Sequence, residues 1–422
     1  MRSNVIFVTA GLALAIGLNP GNLVTGQQSA GTEDPVRRLV SRLKLEQYKA
    51  TIKGLTQFGD RRQGTKRNRE AVDWIEVQLR AVGCATTARI TYMYDREPRT
   101  GVGGRRVLRG GVRQPLNPTD GTPTGGRIGR NGSGPGGASI FGYRRPTGVE
   151  RDSMAQPDEA LRALNSEEPT NGERTEVFCT KIGTTNPEEM YIIGAHMDGH
   201  GFGEAANDDG SGTAIVIELA RVFNAPDVQT SRSIRFALWN NEETGLNGSR
   251  AYVEQRRERQ GLESPRGSGQ YPEPRWLGMI QHDMMLFDHG APGPDGVVSR
   301  NQRPEADVNI EFQSNSDLAD ESRDLAFFFK AASDTYATDY PSVVGPHMTN
   351  TDSTPFMDVV PSISLRENER GMHIGAGWDP HWHQPTDLYS TFTDDDFRLG
   401  LNAGQTTLAA IAQLVEATIV GP

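Results

Sequence analysis

All eight histidines of this 422-residue chain fall between residues 196 and 383. Around them, carboxylates recur in five short runs: His196-Met197-Asp198; Asn207-Asp208-Asp209-Gly210-Ser211-Gly212; Asn241-Glu242-Glu243-Thr244-Gly245-Leu246; Asp283 in Gln281-His282-Asp283-Met284; and His381-Trp382-His383-Gln384-Pro385-Thr386-Asp387. Imidazole and carboxylate are the donors that hold zinc-class ions. An imidazole ligand needs its second ring nitrogen held, usually by a carboxylate, and His196-x-Asp198 offers one. Two adjacent carboxylates allow one to bind metal while the other stays free to move a proton. Each run alone has a plainer reading: a structural histidine, an Asx turn capping a helix, or a solvated charge pair.

The elements that must position these residues are legible around them. TEVFCTKI, MYIIGAH (190–196), SIRFALWN (233–240), WLGMIQHDM (276–284) and VPSISLRE (360–367) read as strands, several of them continuous apolar runs of the buried kind. Residues 211–224, 247–258, 317–336 and 394–418 read as helices. In the N-terminal part, 34–58 reads as one charged amphipathic helix. A second spans 66–83, with Ala71, Trp74, Ile75, Leu79 and Val82 at helical spacing and Gly83 as its stop. The strand–helix alternation is the α/β signature. Four of the five runs lie at strand ends or on the loops that follow, where open α/β sheets bind ligands.

Taken together and in this order, the runs resemble the zinc exopeptidases of peptidase family M28. The motifs concentrate in 190–387, and the likeness extends over roughly 35–420, including the Gly59-Asp60-Arg61 turn before helix 66–83. The resemblance implies a mixed, largely parallel central sheet flanked by helices, in one catalytic domain over 34–420. It implies two zinc ions held by His196, Asp208, Glu243, Asp283 and His383, with Asp208 bridging and its peptide bond to Asp209 cis. Asp198 is expected to hold His196, and Glu242 to be the general base. His383 rather than His381 is the expected ligand, because the family places it four residues before an Asp, here Asp387. His282 would point to the opposite strand face from Asp283. His200, His289, His347 and His373 are not expected as ligands. One departure stands out: the family often has Ser-Asp-His before a Phe, and here Thr351-Asp352-Ser353 occupies that loop. The activity implied is an aminopeptidase acting on peptide substrates. A carboxypeptidase or dipeptidase, a one-zinc glutaminyl cyclase, and a non-catalytic binding relative are the alternatives.

Lys+Arg number 44 and Asp+Glu 54, a formal charge of −10. This balance argues against a nucleic-acid partner, which needs a basic face. Residues 99–149 run against it, with 15 Gly, 9 Arg, no Lys and Asp120 as the only acid, a net +8. They read as a flexible Gly/Arg-rich insertion. Residues 1–26 read as a signal peptide: Arg2, the apolar run Val5 to Leu18, and small residues before Gly26. An uncleaved anchor is the other reading. The expected location is therefore secreted or periplasmic, with no membrane contact after cleavage. There are two cysteines, Cys84 and Cys179. They pair if their strands are neighbours, and otherwise remain as two buried thiols.

Overall fold

A computed structural model describes residues 34–95, 149–290, 297–346, 351–367 and 379–420. The expected signal segment lies outside them, as do His347, His373 and the insertion apart from Val149. The elements in chain order are α1 (Pro35–Val40), α2 (Leu45–Leu55), α3 (Lys66–Ala81), β1 (Ala88–Tyr94), α4 (Glu159–Asn165), β2 (Gly172–Lys181), β3 (Asn186–His196), α5 (Gly210–Phe223), β4 (Val228–Gln229), β5 (Arg232–Trp239), α6 (Asn247–Arg256), β6 (Arg275–His282), β7 (Val308–Phe312), α7 (Ala319–Tyr336), β8 (Ser342–Gly345), β9 (Ser362–Arg366), α8 (Asp394–Leu414) and β10 (Thr418–Ile419).

Eight strands form one mixed, mostly parallel sheet in the order β1-β2-β5-β3-β6-β9-β7-β8, and β4 pairs with β10 apart from it. The four central strands β5, β3, β6 and β9 run parallel. β1 and β2 are antiparallel additions on one side, and β7 meets β9 antiparallel on the other. Alternation along the central strands feeds two cores. Ile193, Ala195, Ile234, Phe236 and Leu238 join the cluster lined by α2, α5 and α8. Met190, Ile192, Ala237 and Trp239 join Tyr252, Trp276 and Phe356 in the other. This is why the central strands read as continuous apolar runs: both faces are covered. Among the described residues no helix is long and apolar enough to cross a membrane.

Parallel strands with crossover helices place their carboxyl ends on one edge. β3 lies between β5 and β6, with His196 opposite Trp239 and Ala195 opposite His282. The segments that leave these three strand ends carry the carboxylates noted in the sequence.

The expected helix 34–58 is broken into α1 and α2. Leu43 is buried in the break. Arg42 forms a bidentate pair with Asp227 at 2.9 and 2.6 Å, and the Lys44 N–H donates to Glu218 Oε1 at 2.8 Å. These long-range bonds outweigh the local periodicity. Helix α3 forms as expected, capped by the Thr65 hydroxyl and ended by Gly83 at φ +91°. The two cysteines are joined in a disulfide with Cα atoms 6.1 Å apart, Cys84 leading into β1 and Cys179 on its neighbour β2.

Candidate metal centre

The centre is assembled from three strand ends, the turn into α5 and a late loop. His196 closes β3. Asp208 sits on the turn into α5, and Glu242 and Glu243 follow β5. Asp283 follows β6, and His383 lies in the segment before α8. Asp208 spans the two imidazoles: its Oδ1 is 3.2 Å from His196 Nε2, and its Oδ2 is 3.0 Å from His383 Nε2. Asp283 Oδ1 lies 3.8 Å from His196 Nε2, and Glu243 Oε2 lies 3.0 Å from His383 Nε2. His196, Asp208 and Asp283 form one group of donor atoms close enough to hold a metal ion. His200, Glu243 and His383 form a second.

The turn carrying Asp208 is over-determined. The Asp208–Asp209 peptide is cis. The Asp387 carboxylate accepts the N–H groups of Asn207 and Asp208, at 2.8 and 3.1 Å. The Asp209 carboxylate caps α5 through Gly212 N–H and also accepts the N–H groups of His196 and Met284. It thus ties the ends of β3 and β6 to the start of α5, so the plain helix-cap reading and the site-building one both hold here. Asn207 accepts from the N–H groups of Met285 and Leu286 and donates to Glu367 and Asp379.

Asp198 meets His196 through its main chain. The ring Nδ1 of His196 meets the backbone carbonyl of Asp198 at 2.8 Å, and the nearer Asp198 carboxylate oxygen is 4.0 Å away. That carboxylate accepts the Glu242 N–H at 3.0 Å.

Asp208, Glu242, Glu243 and Asp283 are all buried, and buried carboxylates require a compensating charge. The only lysine or arginine within ion-pair distance of them, among the described residues, is Arg366, 2.8 Å from Asp283 and also facing Glu311 at 3.6 Å. Glu243 Oε1 and His383 Nδ1 are buried without a hydrogen-bond partner. Burial raises the Asp283 carboxyl, but Arg366 and His196 outweigh it and hold it at about 2. Burial lowers the His383 imidazole, yet Glu243 and Asp208 carry it up to about 10. The raised imidazole and the four buried carboxylates mark a cluster short of positive charge, and the donor set suits two zinc ions. Glu242 differs. Burial, against the pull of His196 and aided by Asp352, Glu243 and Asp283, pushes its carboxyl well above the usual range. A carboxylate with raised proton affinity is suited to taking a proton from water.

The remaining histidines separate. His381 Nδ1 bonds the Thr386 hydroxyl at 2.9 Å, and its ring lies against Phe287 and Phe392. His282 points away from Asp283 toward α8, its Nε2 2.8 Å from the Thr407 hydroxyl. His289 pairs with Asp396. His200 does not separate: its Nε2 is 3.0 Å from Glu243 Oε2 and its ring stands edge-on to His383 at 4.1 Å. His200 is not expected as a ligand from the sequence, yet its donor atom stands beside those of Glu243 and His383; its place two residues after Asp198, between two glycines, is the local signal. Arg61 was also missed as a site builder. Fully buried, it donates to the carbonyls of Met197, Glu204 and Ala205 and so fixes the loop between His196 and Asp208.

Comparison with known proteins agrees with this geometry. Peptidase family M28 matches residues 178–400. The Mycobacterium tuberculosis protein named "Probable lipoprotein aminopeptidase LpqL" is 44% identical over 82 residues, which are 19% of this chain and 16% of that protein. Aminopeptidase YwaD of Bacillus subtilis is 30% identical over 118 residues, 28% of this chain and 25% of that protein. The matches thus span a quarter or less of these relatives' own length. The crystal structure of a zinc aminopeptidase from Bacillus subtilis, BSAP, superposes with a TM-score of 0.56 at 17% identity, covering 88% of this chain and 96% of that one. At that identity the likeness is one of fold.

Proposed function

We propose that this chain, which belongs to peptidase family M28, is an exported two-zinc aminopeptidase that hydrolyses the N-terminal bond of peptides. The observation that carries the reading is Asp208, whose two carboxylate oxygens face His196 and His383 separately. In this reading His196, Asp208 and Asp283 hold one ion, and Asp208, Glu243 and His383 hold the other. Bound zinc supplies Lewis-acid polarisation of the scissile carbonyl and acidifies the attacking water toward neutral pH. Glu242, which this ligand set leaves free, would take a proton from the attacking water and pass it to the departing amine. Asp198 positions Glu242 through its backbone N–H.

Charge supports an aminopeptidase over a carboxypeptidase. Asp208, Glu242, Glu243 and Asp283 balance two zinc ions in charge and leave no surplus cation to take a substrate carboxylate. A substrate carboxylate needs an available cation, and among the described residues the one arginine beside the centre, Arg366, is engaged by Asp283 and Glu311. The presence of all five expected donors favours two metals over the single zinc of a glutaminyl cyclase, and a catalytic role over a binding one. Export is supported by the Cys84–Cys179 disulfide, a bond that persists in oxidising compartments.

The test is zinc analysis of the purified protein alongside reporter peptides with free amines, blocked amines and free carboxylates. Two zincs per chain and cleavage confined to free-amine reporters are expected. Cleavage confined to amine-blocked reporters with a free carboxylate would overturn the reading.

A further inference from the structure

The loop that leaves β3, Met197 to Ala205, carries glycines at 199, 201 and 203, and at each the backbone is pressed against a segment that builds the centre. A Cβ on Gly199 would lie 2.8 Å from the Asp208 carbonyl oxygen. One on Gly201, whose φ is +100°, would fall onto the backbone carbonyl of His383. One on Gly203 would lie 2.7 Å from the Gln384 carbonyl oxygen. Contacts this close leave the backbone little room to shift, because close-packed interiors resist displacement. Arg61 holds the two ends of the same loop through the carbonyls of Met197, Glu204 and Ala205. Two side chains project from between these glycines, and His200 is the one that meets the centre. Its side chain is 12% exposed, and its Nε2 lies 3.0 Å from Glu243 Oε2. That nitrogen is buried and makes no hydrogen bond of good geometry. Donor atoms of His200, Glu243 and His383 all lie within 4.8 Å of one another.

Building on the two-zinc reading above, we propose that His200 is a sixth protein ligand of the centre and that the two ions are consequently unequal. One ion would have four protein donors: His200, His383, Glu243 and one oxygen of Asp208. The other would have three: His196, Asp283 and the second oxygen of Asp208. Zinc closed by four protein donors behaves as a firmly held, structural ion, whereas three donors leave a position open for water or substrate. The His200 side then anchors the site, and the His196 side exchanges metal and meets the substrate. The inequality follows from a rigid, glycine-bracketed loop that delivers one additional nitrogen to one side only.

The experiment is stepwise metal removal from the zinc-loaded protein by graded concentrations of a chromogenic zinc chelator, for wild type, His200→Ala and His200→Asn. Far-ultraviolet circular dichroism establishes folding of each variant, and the Asn form keeps a polar side chain in the loop should the Ala form misfold. Wild type is expected to release two zincs per chain in two steps, with midpoints at least about tenfold apart. The variants are expected to lose the tighter step by about 10–100-fold or more, a second-shell change alone costing that much, and to keep the weaker step. In the cobalt-loaded protein, the visible absorption of the four-donor ion should change on substitution. If folded variants release both zincs at the wild-type chelator concentrations, His200 is not a ligand, and the two-zinc reading stands without it. If wild type itself holds fewer than two zincs, both readings fall.

Discussion

The Asp198 carboxylate serves Glu242 rather than His196: it accepts the Glu242 N–H at 3.0 Å, while His196 turns its Nδ1 to the Asp198 carbonyl instead. The residue thus holds two neighbours by two different groups. The backbone half survives any substitution, and the side-chain half needs only an oxygen acceptor in place.

It follows that Asp198→Asn should retain most activity, because the amide oxygen can still accept the Glu242 N–H. Asp198→Ala should lower kcat by about 10–100-fold at nearly unchanged KM with both zincs bound. Steady-state kinetics with zinc analysis checks this. Equal losses in the two variants would instead mean that the charge of Asp198, and not its hydrogen bond, is what matters.

Asp208→Ala should weaken both ions together, because one carboxylate faces both histidines. Affinity for each is expected to fall at least ~100-fold, since a bridging ligand should count for no less than an outer-shell contact. Equilibrium dialysis against zinc reads it directly, and loss of one ion with retention of the other would disprove the bridge.

Buried His282 gives a pH dependence to the fold. Burial lowers its pKa to about 4 from an ordinary 6.5. Between those values the unfolded chain binds the proton and the folded one does not, so stability rises with pH across this window and is lost as pH falls from 6.5 toward 4. From pH 7 to 5 the wild type should lose about 2 kcal/mol more than His282→Gln. Urea unfolding of both proteins at the two pH values measures it, and parallel curves would contradict it.

Reduction of the Cys84–Cys179 bond, or Cys179→Ser, should destabilise the protein by about 2–5 kcal/mol, the upper end set by a closed loop of 95 residues. Denaturant midpoints with and without reductant report the difference, and coincident midpoints would show that the bond adds nothing.

What was legible in the sequence was the chemistry held in local runs. The strands ending at His196 and Trp239 are apolar on both faces, so their continuous hydrophobic words mark them and the polar residues that follow stand out. The disulfide was legible only as a possibility conditional on two strands being neighbours. What stayed hidden depends on residues far apart in the chain. β7 escaped notice because buried Asn309 and Glu311 interrupt its hydrophobic pattern, and the Arg366 that faces Glu311 lies more than fifty positions on. Arg61 reads as a surface residue until its carbonyl partners around positions 197–205 are in place. His200 is not marked as a ligand by the sequence, because its spacing to Glu243 and His383 carries no local pattern. Only the packing of the glycine loop brings the three together.

If Glu242 moves the proton while its neighbours hold the metals, turnover of Glu242→Gln at measured zinc content tests it most directly. Two zincs per chain with kcat reduced at least about 100-fold is the expected result. Near wild-type turnover in a fully loaded Glu242→Gln protein would contradict it.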